Sequence, residues 1–434
     1  MRQIEPVGVE TLPASSVRPA AAPAHCAGRI RERRRLEWWL ADGGDPAELL
    51  SAFLAAEGLP VGDLSRPPAV EHDARGVCGA ALFVSAAAGA RLVGAPPGPP
   101  SPAPAVPDVA AVVYEHADRA GHDGHAGPAG LAGGDGLAGG DLWAPRRAGA
   151  VPPPWRVGGW RASWTPARHA GAVARVREAI ARGEVYQVNL VGHAAAEYAG
   201  DPLPALERVT RLSGARYPGL LAGAGWAIAC ASPETLVELA GGRLVTRPIK
   251  GTRPATAAGL RELLGSDKER AEHIMIVDLE RNDLAHIART GSVRVDELYA
   301  TQRWCDLWQA QSVISARLAD GAGLADVLRA ICPGGSVTGA PKLAALARIA
   351  ELEPVGRGAG MGALGWIAAD RLDLALTIRT VAADAGRLHV WAGGGITWGS
   401  DPAAEVAEAA AKAAPVRAAL AGRAGRIEPV ARPG

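Results

Sequence analysis

The sequence predicts an α+β fold with largely antiparallel sheets. Short strand-like stretches come in hairpin-like groups with Gly, Ser and Pro at the turns, most clearly in "GLLAGAGWAIACASPETLVELAGGRLVTRPIKG" at 219–251. Long helical periods stand apart from these groups, at 267–289 and 402–421, instead of alternating with single strands as a parallel sheet requires. Hydrophobic residues make up 48% of the 434 and charged residues 21%, enough for a large buried core.

Taken in order, residues 29–57 read as one or two short helices. Their basic run is interleaved with Glu32, Leu36, Trp38 and Trp39, which favours a solvated face beside a packed one over a nucleic-acid signal. "GVCGAALFVSAAA" (76–88) reads as a buried strand, and "DVAAVVYEHA" (108–117) as another. Around them, "GAPPGPPSPAPAVP" and "GHDGHAGPAGLAGGDGLAGGD" bury too little side chain to offset chain entropy, so 117–154 is expected to be a flexible loop or linker. Beyond it, 167–184 has helical spacing and 185–198 alternates like a strand. Helices are expected at 322–331 and 342–354, and strands at 363–368, 374–382 and 388–392.

Several classes are disfavoured. The net charge of +1 gives no electrostatic reason to expect nucleic acid or an anionic membrane as partner. No signal-peptide pattern opens the chain, and no run approaches the roughly 18–20 apolar residues of a membrane span, so a cytoplasmic location is expected. The five scattered cysteines read as reduced hydrophobes. His122 and His125 lack further ligands on a rigid frame. "GMGALG" (360–365) follows a helix and enters a hairpin, the reverse of a dinucleotide site. "GVCG" lacks a nucleophile's His and Glu partners, and "PGGSVTGAPK" lacks the GK[ST] of a P-loop.

Chemistry gathers elsewhere. Only four of the 46 basic residues are lysines, at 250, 268, 342 and 412. Arginine stays protonated under ordinary conditions, whereas a desolvated lysine can act as base or nucleophile. Lys250 in "RLVTRPIKGTRPA" is therefore a candidate for chemistry that guanidinium cannot perform. Ser266 and Glu269 form a capping-box pattern, and Glu269 and Glu272 share one side of the following helix. Asp401 and Pro402 open a second helix whose Glu405, Glu408 and Lys412 share a face in an otherwise Ala- and Val-rich run. Two such helices could meet around a hard divalent ion such as Mg²⁺.

Together, "YQVNL", "SPETL", "PIKGT", "KERAEHIMIVDLERNDL", "GSVTGAPK", "LDLALTIRT", "AGGGI" and "SDPAAEVAEAAAKA" resemble, in this order, the chorismate-utilising enzymes. The resemblance is strong over about 160–420 and weak before 110. Within the family, the lysine of "PIKGT" resembles the aminodeoxychorismate branch, where anthranilate synthases carry alanine. The resemblance implies a four-layer α/β/β/α sandwich, in which 1–116 contributes strands to the same body as a catalytic region at 155–424, followed by a tail at 425–434. It implies chorismate as substrate, Mg²⁺ as cofactor, and ammonia from a glutamine amidotransferase subunit. By motif, Lys250 would be the nucleophile and Glu234 the acid. Gly251, Thr252, Ser336, Arg379, Gly393, Gly394, Gly395 and Lys412 would contact chorismate, and Glu272 and Glu408 would hold the metal, with Glu269 and Glu405 nearby. Gln309 stands where many relatives have histidine. An anthranilate or isochorismate synthase, or a silent chorismate-binding scaffold, are the alternatives.

Overall fold

Along residues 226–231, alternate side chains enter different cores. Trp226, Ile228 and Cys230 join the large cluster that draws on both sheets, whereas Ala227, Ala229 and Ala231 pack with helices on the opposite side. A strand buried on both faces gives this pattern. The computed structural model describes residues 30–66, 76–96, 98–116 and 154–421.

The chain starts with β1 (Ile30–Trp38), α1 (Pro46–Ala56), β2 (Val77–Val84), α2 (Ala86–Leu92) and β3 (Val109–His116). Next come β4 (Arg156–Val157), β5 (Arg161–Ala162), α3 (Pro166–Ala181), β6 (Gln187–Ala199) and α4 (Leu203–Thr210). A run of strands follows: β7 (Tyr217–Gly223), β8 (Trp226–Ser232), β9 (Thr235–Ala240), β10 (Arg243–Arg247) and β11 (Ile249–Pro254). After it are α5 (Ala257–Gly265), α6 (Asp267–Ala285), β12 (Arg294–Trp304), β13 (Leu307–Arg317), α7 (Leu324–Ile331), β14 (Gly339–Ala340) and α8 (Lys342–Leu352). The last elements are β15 (Ala363–Ala368), β16 (Arg371–Leu376), β17 (Thr380–Asp384), β18 (Arg387–Ile396) and α9 (Pro402–Leu420).

Ten strands form one sheet in the order β1-β3-β2-β15-β16-β9-β10-β13-β11, with β12 also on β13. Eight form the second in the order β14-β6-β18-β17-β8-β7, with β4 and β5 on β6. Every described pairing is antiparallel. Apolar residues of α1, α6 and α7 pack on the first sheet. Those of α3 and α8 cover one part of the second sheet, and those of α4 and α9 another. The result is the expected α/β/β/α sandwich. The strands β1, β2 and β3 enter the first sheet through the β2–β15 pair.

Two expected elements differ. Residues 30–38 form a strand, not a helix, and the only α-helix of this stretch is Pro46–Ala56, after a short 3-10 turn at Leu40–Asp42. The Arg-rich "IRERRRLEW" suits a charged edge strand, where like spacing mimics a solvated helix face. Arg31 and Arg33 there pair with Glu115 on the neighbouring β3. The stretch 374–382 is not one strand: β16 ends at Leu376 in the first sheet and β17 begins at Thr380 in the second. The crossing puts Arg379 at φ +53°, a left-handed conformation costly for a residue with a Cβ. The cysteines also need a correction, since Cys78 is disulfide-bonded, while Cys230, Cys305 and Cys332 are free. The loop expected at 117–154 and the tail at 425–434 fall almost wholly outside the described residues.

Candidate active site

A cleft with about 800 Å³ of open space, its mouth included, opens where the starts of α6 and α9 approach the ends of β6, β11 and β18. Glu234, Lys250, Gly251, Thr252, Ser336 and Arg379 all line it. So do Gly393, Gly394, Gly395 and Lys412, together with the carboxylates Glu269, Glu272, Glu405 and Glu408. Every residue named by motif as catalytic, substrate-binding or metal-holding therefore lines one space.

Local structure explains how each gets there. Glu234 precedes β9, and the chain runs out along β9, back along β10 and turns at Pro248 into β11, returning Lys250 to the same wall. The Ile249 amide donates to Glu234 Oε1 at 3.4 Å. Ser266 caps α6 by accepting from the Glu269 amide at 3.2 Å, and Asp401 caps α9 by accepting from the Ala404 amide at 2.8 Å. Both caps orient first turns that carry the carboxylates. The helix starts meet the sheet end directly, since the Thr397 hydroxyl donates to Glu272 at 2.7 Å. Position 393 has no room for a Cβ, which would overlap the Leu190 backbone across the β6–β18 pair.

Lys250 Nζ donates to the Ser336 carbonyl at 2.8 Å, and the Ser336 hydroxyl donates to Glu234 Oε1 at 2.5 Å. One serine thus links amine and carboxyl. Enclosure in the cleft pushes the Lys250 amine below lysine's ordinary value, against the opposing pull of Glu234. Burial likewise pushes the Glu234 carboxyl up, against its hydrogen bond to Ser336 and the charge of Lys250. Both shifts favour the uncharged forms, an amine and an acid side by side.

Arg379 is 5% exposed, its guanidinium 4.4 Å from the Trp304 ring centroid, with one N–H on the Lys412 carbonyl at 2.9 Å. Among the described residues no carboxylate lies within ion-pair distance of it. Burial lowers it to about 10, so it stays cationic at neutral pH. A buried, unmatched guanidinium suits an anionic ligand, which its fork binds with two hydrogen bonds. Lys412 Nζ donates to the Gly393 carbonyl at 2.9 Å and pairs with Glu408 at 2.6 Å. Burial works to raise the Glu408 carboxyl, but Lys412 holds it below its usual range.

The four carboxylates offer only hard oxygen donors, as Mg²⁺ prefers. Glu269 meets Arg253 at 3.0 Å, Glu272 accepts from the Thr397 hydroxyl, and Glu408 pairs with Lys412. Among the described residues no three acidic, His or Cys side chains are gathered closely enough to hold a metal by themselves. Oxygen donors of this kind suit an ion that takes one or two carboxylates and completes its shell with water and an anionic ligand.

Gln309, noted in the sequence in place of a histidine, also lines the cleft, and other lining residues had not been singled out: Asn189, Met361, Ile378 and Trp391. Asn189 lay within the "YQVNL" motif, but its burial depends on the β6–β18 pairing and was not legible locally. Behind the site, Glu280 on α6 is 6% exposed and accepts from the Thr246 hydroxyl at 2.5 Å, and burial pushes its carboxyl well above the usual range.

Two antiparallel sheets thus enclose a cleft that gathers an amine, an acid, a guanidinium without a carboxylate partner and a set of carboxylates, a lining suited to a small anionic molecule. Residues 72–418 match the chorismate binding enzyme family, and the chain belongs to that family. Over 269 residues it is 41% identical to anthranilate synthase component 1 of Streptomyces coelicolor, covering 60% of this chain and 53% of that protein. Over 274 residues it is 39% identical to aminodeoxychorismate synthase component 1 of Salmonella typhimurium, covering 61% and 60% respectively. These alignments span little more than half the length of the curated relatives. Its fold is similar to that of anthranilate synthase component I from Streptococcus pneumoniae, with a TM-score of 0.67 and 26% identity over 96% of this chain and 95% of that one. It also resembles the fold of the menaquinone-specific isochorismate synthase of Escherichia coli, with a TM-score of 0.56 and 18% identity over 93% and 96%. Among the described residues no helix is long and apolar enough to cross a membrane.

Proposed function

We propose that this protein aminates chorismate at the ring carbon para to the carboxylate, giving 4-amino-4-deoxychorismate, a precursor of 4-aminobenzoate. The observation that carries the reading is the Lys250–Ser336–Glu234 chain, an amine and an acid biased to their uncharged forms in one cleft. The neutral Lys250 nitrogen forms a bond to the ring carbon ortho to the carboxylate. Both ring double bonds shift by one position, and the para hydroxyl leaves as water with the Glu234 proton. The alkylated ammonium then returns one proton to Glu234. Ammonia bonds to the para carbon, both double bonds shift back, and the lysine–carbon bond breaks with its electron pair on lysine. The proton shed by the new ammonium goes to the departing lysine nitrogen, which leaves as the neutral amine. The net reaction is chorismate plus ammonia giving the amino product plus water. Splitting one displacement into two is the use of covalent catalysis.

Arg379 and Lys412 orient the carboxylated substrate. Glu272 and Glu408, with Glu269 and Glu405 beside them, would hold Mg²⁺, which when bound stabilises charge on the ring carboxylate. Two of the similar proteins carry the name component 1, which supports a separate subunit as ammonia donor, and we assign that role to a glutamine amidotransferase in the cytoplasm.

A second reading, amination at the ortho carbon to give anthranilate, is favoured by the 41% identity to an anthranilate synthase component. Purified protein with chorismate, Mg²⁺ and ammonium decides between them when products are identified by mass and NMR. The para-amino product is expected. An ortho-amino product, a hydroxylated isomer, or no turnover with chorismate still bound would each overturn the reading.

A further inference from the structure

We infer that Tyr299 is a positioning residue that clasps the elbow between α5 and α6 and so sets the Glu269 and Glu272 carboxylates for the Mg²⁺ ion. The inference rests on the metal-holding role proposed above for these carboxylates and adds what keeps them in place. On β12, Glu297 faces Val313 and Ala300 faces Gln311, so Leu298 and Tyr299 together oppose Ser312 alone, a bulge. Tyr299 has φ +60°, a left-handed backbone costly for a residue with a Cβ. Glycine or asparagine would adopt that conformation at lower cost, so the tyrosine is kept for its side chain.

That side chain grips both arms of the elbow. Its hydroxyl donates at 2.9 Å to the Leu263 carbonyl, in the last turn of α5. Its ring meets α6 one turn apart at two places, with the His273 ring edge-on at 5.1 Å and the Arg270 guanidinium 5.4 Å from its centroid. The backbone is tied to the same helix. The Tyr299 amide donates to the Ser312 hydroxyl oxygen at 3.0 Å, and that oxygen lies 2.6 Å from His273 Nε2. Burial and then the charge of Glu269 push the Tyr299 hydroxyl above its ordinary value, so it remains a donor.

The elbow links this clasp to the site. Leu263 is fully buried, and a Cβ built at Gly251 would stand 2.6 Å from its Cδ1 and 3.1 Å from Glu269 Oε2, so strand, leucine and carboxylate share one contact. Ser266 both ends α5 and caps α6, so a shift of Leu263 turns the helix start that carries Glu269 and Glu272. Mg²⁺ demands near-ideal octahedral geometry, and a small displacement of its oxygens costs affinity. Tyr299 is not among the residues lining the cleft, so it acts through the two carboxylates.

The test uses the full chain as wild type, as Tyr299→Phe, which removes only the hydroxyl, and as Tyr217→Phe. The last is a control that removes a buried 2.8 Å hydroxyl bond to Thr235, between β7 and β9. Mn²⁺ binding is followed by electron paramagnetic resonance without substrate, and amination is measured against Mg²⁺ at saturating chorismate and ammonium. Tyr299→Phe is expected to weaken the Mn²⁺ Kd about fivefold, as loss of one hydrogen bond does. The Mg²⁺ concentration for half-maximal rate should rise in proportion, with kcat at saturating Mg²⁺ within about twofold. Tyr217→Phe is expected to keep the Mn²⁺ Kd within about twofold of wild type. A Tyr299→Phe chain with the wild-type Mn²⁺ Kd, or a control weakened by the same factor, overturns the inference alone. A wild type that binds no Mn²⁺ overturns the metal assignment beneath it.

Discussion

Lysine at position 250 was conspicuous in the sequence because this chain otherwise uses arginine, and its place on β11 gives that choice a physical reason. A guanidinium there would stay protonated and could not attack a ring carbon. Lys250→Arg and Lys250→Ala are therefore expected to lose para-amination alike, in a product assay at matched protein concentration. Glu234→Gln is expected to lower kcat roughly 10²- to 10⁴-fold, the range for removing a positioned acid, with chorismate Kd nearly unchanged. The pH dependence follows from the direction of the shifts. The attacking fraction of Lys250 rises with pH through its depressed pKa, and the donating fraction of Glu234 falls with pH through its raised one. The rate should be bell-shaped, with limbs that belong to the coupled pair. The unpaired side-chain oxygens of Gln187 and Asn189 were not legible, although both residues lie within the "YQVNL" motif. An oxygen becomes unpaired only when strands distant in sequence close around it.

At the scale of elements, the helices read well because their caps and periods are local. Ser266 and Asp401 mark the starts of α6 and α9 in the sequence and cap them in the structure. The strand β1 was missed because charge spacing on an edge strand resembles a helix face. The break between β16 and β17 was missed because continuous apolar patterning hides a change of sheet. One device behind the site also escaped notice. Glu353 and Arg357 form a buried two-bond ion pair at 2.6 and 2.9 Å. It reaches the Val337 carbonyl at 2.6 Å and the Val191 amide at 2.9 Å, tying β6 to the turn that presents Ser336. Arg357→Met leaves Glu353 buried without its cation and is expected to destabilise the chain by about 3–5 kcal/mol, measured as a lower urea midpoint. Glu353→Gln/Arg357→Met together should recover part of that loss.

For the whole molecule, the fold class was legible and the strand order was not, since pairs such as β2–β15 join segments far apart in the chain. The same long-range closure buries four histidines and lowers each: His193 to about 3, His273 and His389 to about 4, and His169 by burial alone. An imidazole lowered in the folded state leaves the unfolded chain binding more protons below about pH 6.5, so its contribution falls as pH drops from there. The buried carboxyls of Glu280 and Glu353, raised by burial, act in the opposite sense. Comparing wild type with His193→Gln/His389→Gln isolates the histidine part, and the double variant should lose less stability between pH 7 and pH 5 in urea unfolding.

The account depends most on a bond between Lys250 and the ring, and withholding ammonia should let that species accumulate. Protein incubated with chorismate and Mg²⁺ alone, quenched in acid and analysed by intact mass and peptide fragmentation, is expected to carry chorismate less one water on Lys250, and Lys250→Ala to carry none. An unmodified wild-type chain from a preparation that aminates chorismate when ammonium is added, or an adduct on another residue, would contradict it.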